Sequence, residues 1–346
     1  MKRLFIILFV ISALCMPVSA MDFTAPEAPP KAQQVMPDEA ESFGEGLWYI
    51  IRSAIDIIQP SITQALGICV SMIAISIISG TLGIFSGDTG HAIQVAGTAA
   101  TGLILFKPVN ALIYLGTDTV EQISHYGKLL LPVMTGALAA QGGITKSGAL
   151  YTTTAFFDAV LSMAISELLV PIIYVFLCTA IVCNMFPEPL LKNAKEFIKR
   201  FLTWGLKTVL YVFTGYISIT GIVGGTTDAT VLKATKLTIS GAVPVVGNIL
   251  SDASEAVIAS AGVMRNSAGI YGLLTVIAIV VSPFIQIGVQ YLMLKMTAGM
   301  CEAIGSKEIA AVAKDFSSAM GLVLAMAATV CIIFLISTIC FMKGVS

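Results

Sequence analysis

Two lysines and two acids bracket the most unusual stretch of this sequence. Lys233 and Lys236, three residues apart and therefore on one helix face, precede an apolar centre over residues 237–251, and Asp252 and Glu255 follow it. The centre is too short for an ordinary membrane span and is broken by Gly241, Pro244 and Gly247. Backbone broken in this way persists at membrane depth only where protein or a water-filled cavity satisfies its polar groups. The chemistry expected of it is that of an assembly or pore element, in which the lysines pair with Asp252 and Glu255 across a hairpin or with a neighbouring subunit. A solvated loop with ordinary caps is the plainer alternative. Asp252 and Glu255 also form a D-x-x-E capping box, which predicts a new helix through about residue 264.

Little else in the chain is arranged for catalysis. The two histidines, His91 and His125, fall near the ends of apolar segments, and there is neither an HExxH nor a Gly-x-Ser-Gly pattern. Phe85-Ser86-Gly87-Asp88 lacks the first glycine of a GxGD protease motif. The absence of a GxxxxGK[ST] loop leaves nucleotide-derived energy to a partner. Seven cysteines are present without a CxxC pair, and Cys69, Cys178, Cys331 and Cys340 lie in apolar runs, where they read as small buried side chains rather than metal ligands. A formal net charge of −1, from 19 basic and 20 acidic residues, gives no attraction to nucleic acid. The expectation is a protein that is not an enzyme and carries no metal or cofactor.

The elements that position these residues are membrane helices. Hydrophobic residues make up 57% of the chain and charged ones 11%, against about 25% charged in soluble domains. Mean hydropathy is +0.93. About 20 apolar residues cross a bilayer core, and residues 57–87, 168–187, 208–227, 266–294 and 316–342 satisfy that directly. Residues 89–106, continuing past Lys107 to 117, and 129–145 are shorter candidates, and 147–166 is apolar apart from Asp158. The predicted fold is an all-α polytopic membrane protein of about six to eight transmembrane helices, with a re-entrant or interfacial segment over 227–265. Lys107, Asp158 and Glu167 interrupt apolar stretches and either line a polar path or, at helix ends and helix contacts, snorkel and pair. Gly221 and Gly225 have GxxxG spacing.

Lys2 and Arg3, an apolar run to Met16, Pro17 and then Val18-Ser19-Ala20 have the order of a signal peptide, with cleavage between Ala20 and Met21; an uncleaved anchor is the alternative. Residues 21–46 form an acidic tail, and Pro26, Pro29, Pro30 and Pro37 punctuate the first half of the stretch 21–56 and predict disorder there. Its scarcity of basic residues places it outside. Residues 47–58 read as an interfacial helix that feeds the first span, within a membrane domain over 47–346. The basic loop over 188–207, with Lys192, Lys195, Lys199, Arg200 and Lys207, should face the cytoplasm. An odd number of crossings must then precede it, whereas the simplest count gives four; either one short segment is re-entrant or 147–166 spans as well.

The run KATKLTISGAVPVVGNILSDASE, from Lys233 to Glu255, resembles the signature region of the stage III sporulation protein AE family of endospore-forming bacteria. The likeness extends from about Gly46 to the C-terminus. It implies a subunit of the transenvelope complex of the stage III A operon, in the mother-cell membrane around the forespore. Implied partners are ring-forming subunits, other multispanning membrane proteins, a cytoplasmic ATPase and a forespore-side protein, in a channel or feeding conduit that sustains late forespore gene expression. The resemblance brings no catalytic residues. An autonomous secondary transporter is the alternative, since broken helices build midplane sites in that class.

Overall fold

In hydrocarbon every backbone N–H and C=O must be satisfied within its own segment, so long charge-free runs are committed to helix. The computed structural model describes residues 25–37, 43–85, 89–140, 144–219 and 267–343, and these contain helices and no strand. After a single turn α1, Pro30–Gln33, come α2, Phe43–Phe85, and α3, Gly90–Ala140. Then follow α4, Ile144–Met163, a π-helical turn at Ala164–Leu169, α5, Val170–Met185, α6, Pro189–Ile219, α7, Ser267–Ala303, and α8, Lys307–Lys343. Among the described residues five stretches are long and apolar enough to cross a membrane: Phe43–Gly83, Gly90–Ala140, Ser147–Met185, Gly269–Ala303 and Lys307–Met342. The chain is thus an all-α polytopic protein. The expected signal peptide with its cleavage point between Ala20 and Met21, and the residues Gly221 and Gly225, lie outside the described residues.

Side-chain contacts fix an up-and-down order. Gly97 of α3 lies against Ile309 of α8, and Gly116 against Val323, so α3 and α8 run parallel. Ser317 of α8 donates to the Tyr291 carbonyl of α7 at 3.0 Å while Gly269 of α7 meets Met342, so α7 runs the other way. At the turn between them Gly305 adopts φ 100°, and the Gly305 and Ser306 amides donate to the Glu302 and Cys301 carbonyls, both at 3.0 Å. That pattern is a Schellman cap, where only glycine avoids the Cβ penalty. Helix α8 fills the axis: from Phe316 to Met342 only Ser318 and Ile336 escape full burial.

Helix lengths correct the expected spans. The segments 89–117 and 129–145 belong to one helix, α3, whose 51 residues extend roughly 76 Å at 1.5 Å per residue. Likewise 147–166 and 168–187 are one rod, because the helix passes Pro171 through the π-helical turn, in which the Val170 amide reaches back to the Ile165 carbonyl. The extra residue in that turn absorbs the donor that proline lacks. Among the described residues three long helices therefore precede the basic segment, an odd number, and within them neither a re-entrant segment nor a fourth span is needed before it. The basic segment is itself no loop: residues 189–219 are continuous helix α6. Lys107 and Glu167 sit inside helices rather than at their ends, and both are exposed. Cys178, read as buried, is exposed as well.

The tail also departs from expectation. Residues 25–37 are ordered because Ala28, Ala32, Val35 and Met36 gather on one side and are buried. Thr275 of α7 contacts the Met36 sulfur at 3.3 Å, and Lys31 pairs with Asp118 of α3 at 2.8 Å. Composition alone had pointed to disorder, but four small or flexible apolar residues at helical spacing are enough to dock a short segment. Ala32→Glu should release it, raising the rate of tryptic cleavage at Lys31 several-fold while leaving the amount of inserted protein unchanged. An unaltered cleavage rate would mean that the buried face does not hold the segment.

Candidate functional site

The expected site residues Lys233, Lys236, Gly241, Pro244, Gly247, Asp252 and Glu255 lie outside the described residues. What the described helices bring together is a different set of polar groups, in two nodes.

The first joins α3, α4 and α8. Asp158 is buried and accepts from Ser124 at 2.7 Å, with Ser162 one helical turn on at 3.5 Å. Nearby Thr154 donates to Ser337 of α8 at 2.8 Å. Asp158 thus faces a neighbouring helix, and its polar atoms are used in tying helices together.

The second node joins α5, α6 and α8, and it determines how α6 is turned. Asp315 of α8 accepts at one carboxylate oxygen from Lys195 of α6 at 2.8 Å and from Asn184 of α5 at 2.9 Å. One turn further along, Lys199 donates to Ser318 at 3.0 Å. The Lys195 and Asp315 side chains retain 15% and 14% exposure. Lys195 and Lys199, spaced i, i+4, share a helix face with the buried Leu202, Leu206, Leu210 and Phe213. Phe213 packs edge-on against Phe157 of α4, with ring centroids 5.2 Å apart.

The consequence lies half a turn away. Leu190, Phe197, Trp204 and Tyr211 recur every seven residues and point outward, with Phe201 beside them. Trp204 is 64% and Phe197 70% exposed. Phe197 and Phe201 stack with centroids 6.5 Å apart. A seven-residue repeat keeps side chains on one seam over successive pairs of turns, as in helices that pack on other helices. Arg200 and Glu196, paired at 3.5 Å, flank the seam in the open. The basic cluster had marked this region in the sequence only as an address; aromatics at seven-residue spacing opposite lysines at i, i+4 are the signal that identifies the seam.

In both nodes the serine hydroxyls and the charged groups are engaged in contacts between helices, and among the described residues no group of three or more His, Cys, Asp or Glu side chains is placed to hold a metal ion. The geometry is that of helix registration and of an outward-facing surface.

The family model described as stage III sporulation protein AE matches residues 36–344. A protein named stage III sporulation protein AE, from Bacillus subtilis (strain 168), is 21% identical over 235 residues, which is 68% of this chain and 59% of that one. The match therefore spans less than two thirds of that relative's length. No solved structure matches the chain.

Proposed function

The chain belongs to the stage III sporulation protein AE family, a family of sporulation proteins, and from that premise we propose that it is a non-enzymatic membrane subunit of the transenvelope channel between mother cell and forespore, docking a helix of a second subunit on the outer seam of α6. The observation that carries this reading is the inside-out build of α6. Its ion-paired face is turned into the bundle and its aromatic face is left outside. Lipid is a poor occupant for that face, because Lys192, Glu196, Arg200 and Lys207 accompany the aromatics along the same helix and each charge in hydrocarbon costs about 2.5–3.5 kcal/mol. An apolar strip rimmed by charge is what a protein partner covers.

Two further features support it. Helix α8 occupies the axis of the described bundle, so a conduit is built between subunits rather than through these helices. Three helices lead to the basic end of α6, a parity that suits a tail in the intermembrane space and a basic end in the mother-cell cytoplasm, where an ATPase would work. Ring-forming subunits and a forespore-side protein would then be met on the tail side.

Tagged protein extracted from sporulating cells in mild detergent should co-purify with other multispanning and ring-forming subunits. A Phe197→Ser, Trp204→Ser double variant should lose about tenfold or more of that recovery, since buried aromatic anchors contribute about 2 kcal/mol or more each. Undiminished recovery would move the interface elsewhere, and a chain that always elutes alone would overturn the assembly reading.

A further inference from the structure

Helices α2, α3 and α7 enclose a cleft of about 270 Å³ with an apolar wall from Ile68, Leu112 and Leu115 and polar residues that include Asp118, Gln286 and Gln290. Lys31 of α1 stands at its edge. Each of the three helices carries a proline in this stretch, Pro60, Pro108 and Pro283. Proline contributes no N–H, so what it leaves over in a helix is a carbonyl acceptor.

The side chains of the cleft have acceptors to spare. Asp118 accepts from Gln122 at 2.7 Å and from Lys31 at 2.8 Å, both at Oδ2, which leaves Oδ1 without a hydrogen bond among the described residues. Gln286 uses its amide nitrogen on Ser282 of its own helix at 3.1 Å. Gln290 is 4% exposed; its Nε2 is closed off without a partner, and the atom it leaves open to the cleft is the acceptor Oε1. An amide so placed is uncommon in folded proteins, and an orientation that shuts its donor away is favoured where its oxygen meets a strong donor. The cation that Asp118 now holds is a primary ammonium, and it is weakly held. The Lys31 side chain is 67% exposed, rides on a helix of one turn and bonds Asp118 but neither glutamine.

We propose that this cleft binds a small organic cation, a primary ammonium on a short aliphatic chain, which takes the place of Lys31 at Asp118 and also donates to Gln290 Oε1. An ammonium has three N–H donors and no acceptor, which matches a carboxylate with one oxygen unused and an amide oxygen from the facing helix. Ile68, Leu112 and Leu115 cover the carbon chain, and the volume, slightly below the roughly 300 Å³ at which ligand pockets usually begin, limits it to a few carbons. The carboxylate turns anions away and gives a neutral alcohol no charge to pair with. Lys31 is a built-in competitor, so docking of the N-terminal segment fills the cation position and its release frees it. The site shares no residue with the α6 seam, so it and the assembly role survive or fail separately.

The test uses the purified full chain in nanodiscs of zwitterionic lipid, with n-butylammonium as the probe. Two controls separate its features: 1-butanol has the chain without the charge, and tetramethylammonium has the charge without N–H donors. Binding is read by saturation-transfer NMR, with empty nanodiscs subtracted. Lys31→Ala changes an exposed side chain away from the buried face of α1 and should tighten n-butylammonium binding about tenfold by removing the competitor. In that background Asp118→Asn, which keeps the side-chain shape and an acceptor for Gln122, should abolish saturable binding, and Gln290→Met should weaken it several-fold. Neither control should give a saturable signal. Absence of saturable n-butylammonium binding to Lys31→Ala, unchanged binding after Asp118→Asn, or equal binding of either control overturns the proposal.

Discussion

Asp315→Ala is expected to cut the steady-state amount of membrane-inserted protein several-fold. The substitution leaves the Lys195 ammonium and the Asn184 amide without their common acceptor, in a place where both members of the ion pair are about 85% covered. Removing one partner of a fully buried pair costs about 3–5 kcal/mol, because the charge left behind is neither solvated nor paired. With the exposure that remains here, a cost of about 2–4 kcal/mol follows, and 1–2 kcal/mol already changes cellular abundance several-fold. The pair itself is a different matter: Lys195→Met together with Asp315→Leu removes both charges and should recover most of the lost protein. Arg200→Ala, which breaks an ion pair in the open, should leave the amount unchanged. If Asp315→Ala accumulates like the parent chain, the node does not hold α6 in place.

The second large effect concerns close packing. A Cβ added at Gly127 of α3 would fall on the ring of Phe334, a fully buried side chain of α8. The atoms met are those of a rigid ring with no exposed surface, so the clash is relieved only by displacing that ring or one of the two helices. Gly127→Ala should therefore destabilise the bundle by about 1–3 kcal/mol, and Gly127→Leu by more. Phe334→Ala opens space and should partly restore the Gly127→Ala protein. Gly148→Ala is the control, because a Cβ there meets nothing within 4 Å and the helix gains a better helix former. Thermal unfolding followed in detergent distinguishes these variants, and equal midpoints for the Gly127→Ala and Gly148→Ala proteins would contradict the packing described.

The uninterrupted run of α2 beyond Asp56 and the apolar stretch of α8 were legible because they hold no charge over 20 or more residues, and length alone settles such segments. The same counting failed at Lys107 and Glu167, which sit inside long helices, whereas Asp158 does face a neighbouring helix, one of the two expectations for it. A window registers a charge but not what it faces, and Asp158 is answered by Ser124, 34 residues earlier in the chain. It also could not show that α6 is turned inside out, since the acceptor for Lys195 lies 120 residues further on. The tail was misread for a related reason: its prolines and acids dominate the composition, while the docking face consists of alanines, a valine and a methionine that carry little weight in any average. The motif from Lys233 to Glu255 remains the most distinctive sequence feature, and its role as an assembly or pore element is an expectation carried by the family and by its broken apolar centre.

The most direct measurement of the central claim is photo-crosslinking from the α6 seam in sporulating cells. A photoreactive amino acid placed at Trp204 should yield a discrete adduct with a second membrane protein of the sporulation complex, appearing after engulfment begins, while the same group at Lys192, to one side of the seam, yields far less. If Trp204 gives only lipid adducts or unmodified protein under conditions where the complex is assembled, the seam is not a subunit interface and the proposed role of α6 is wrong.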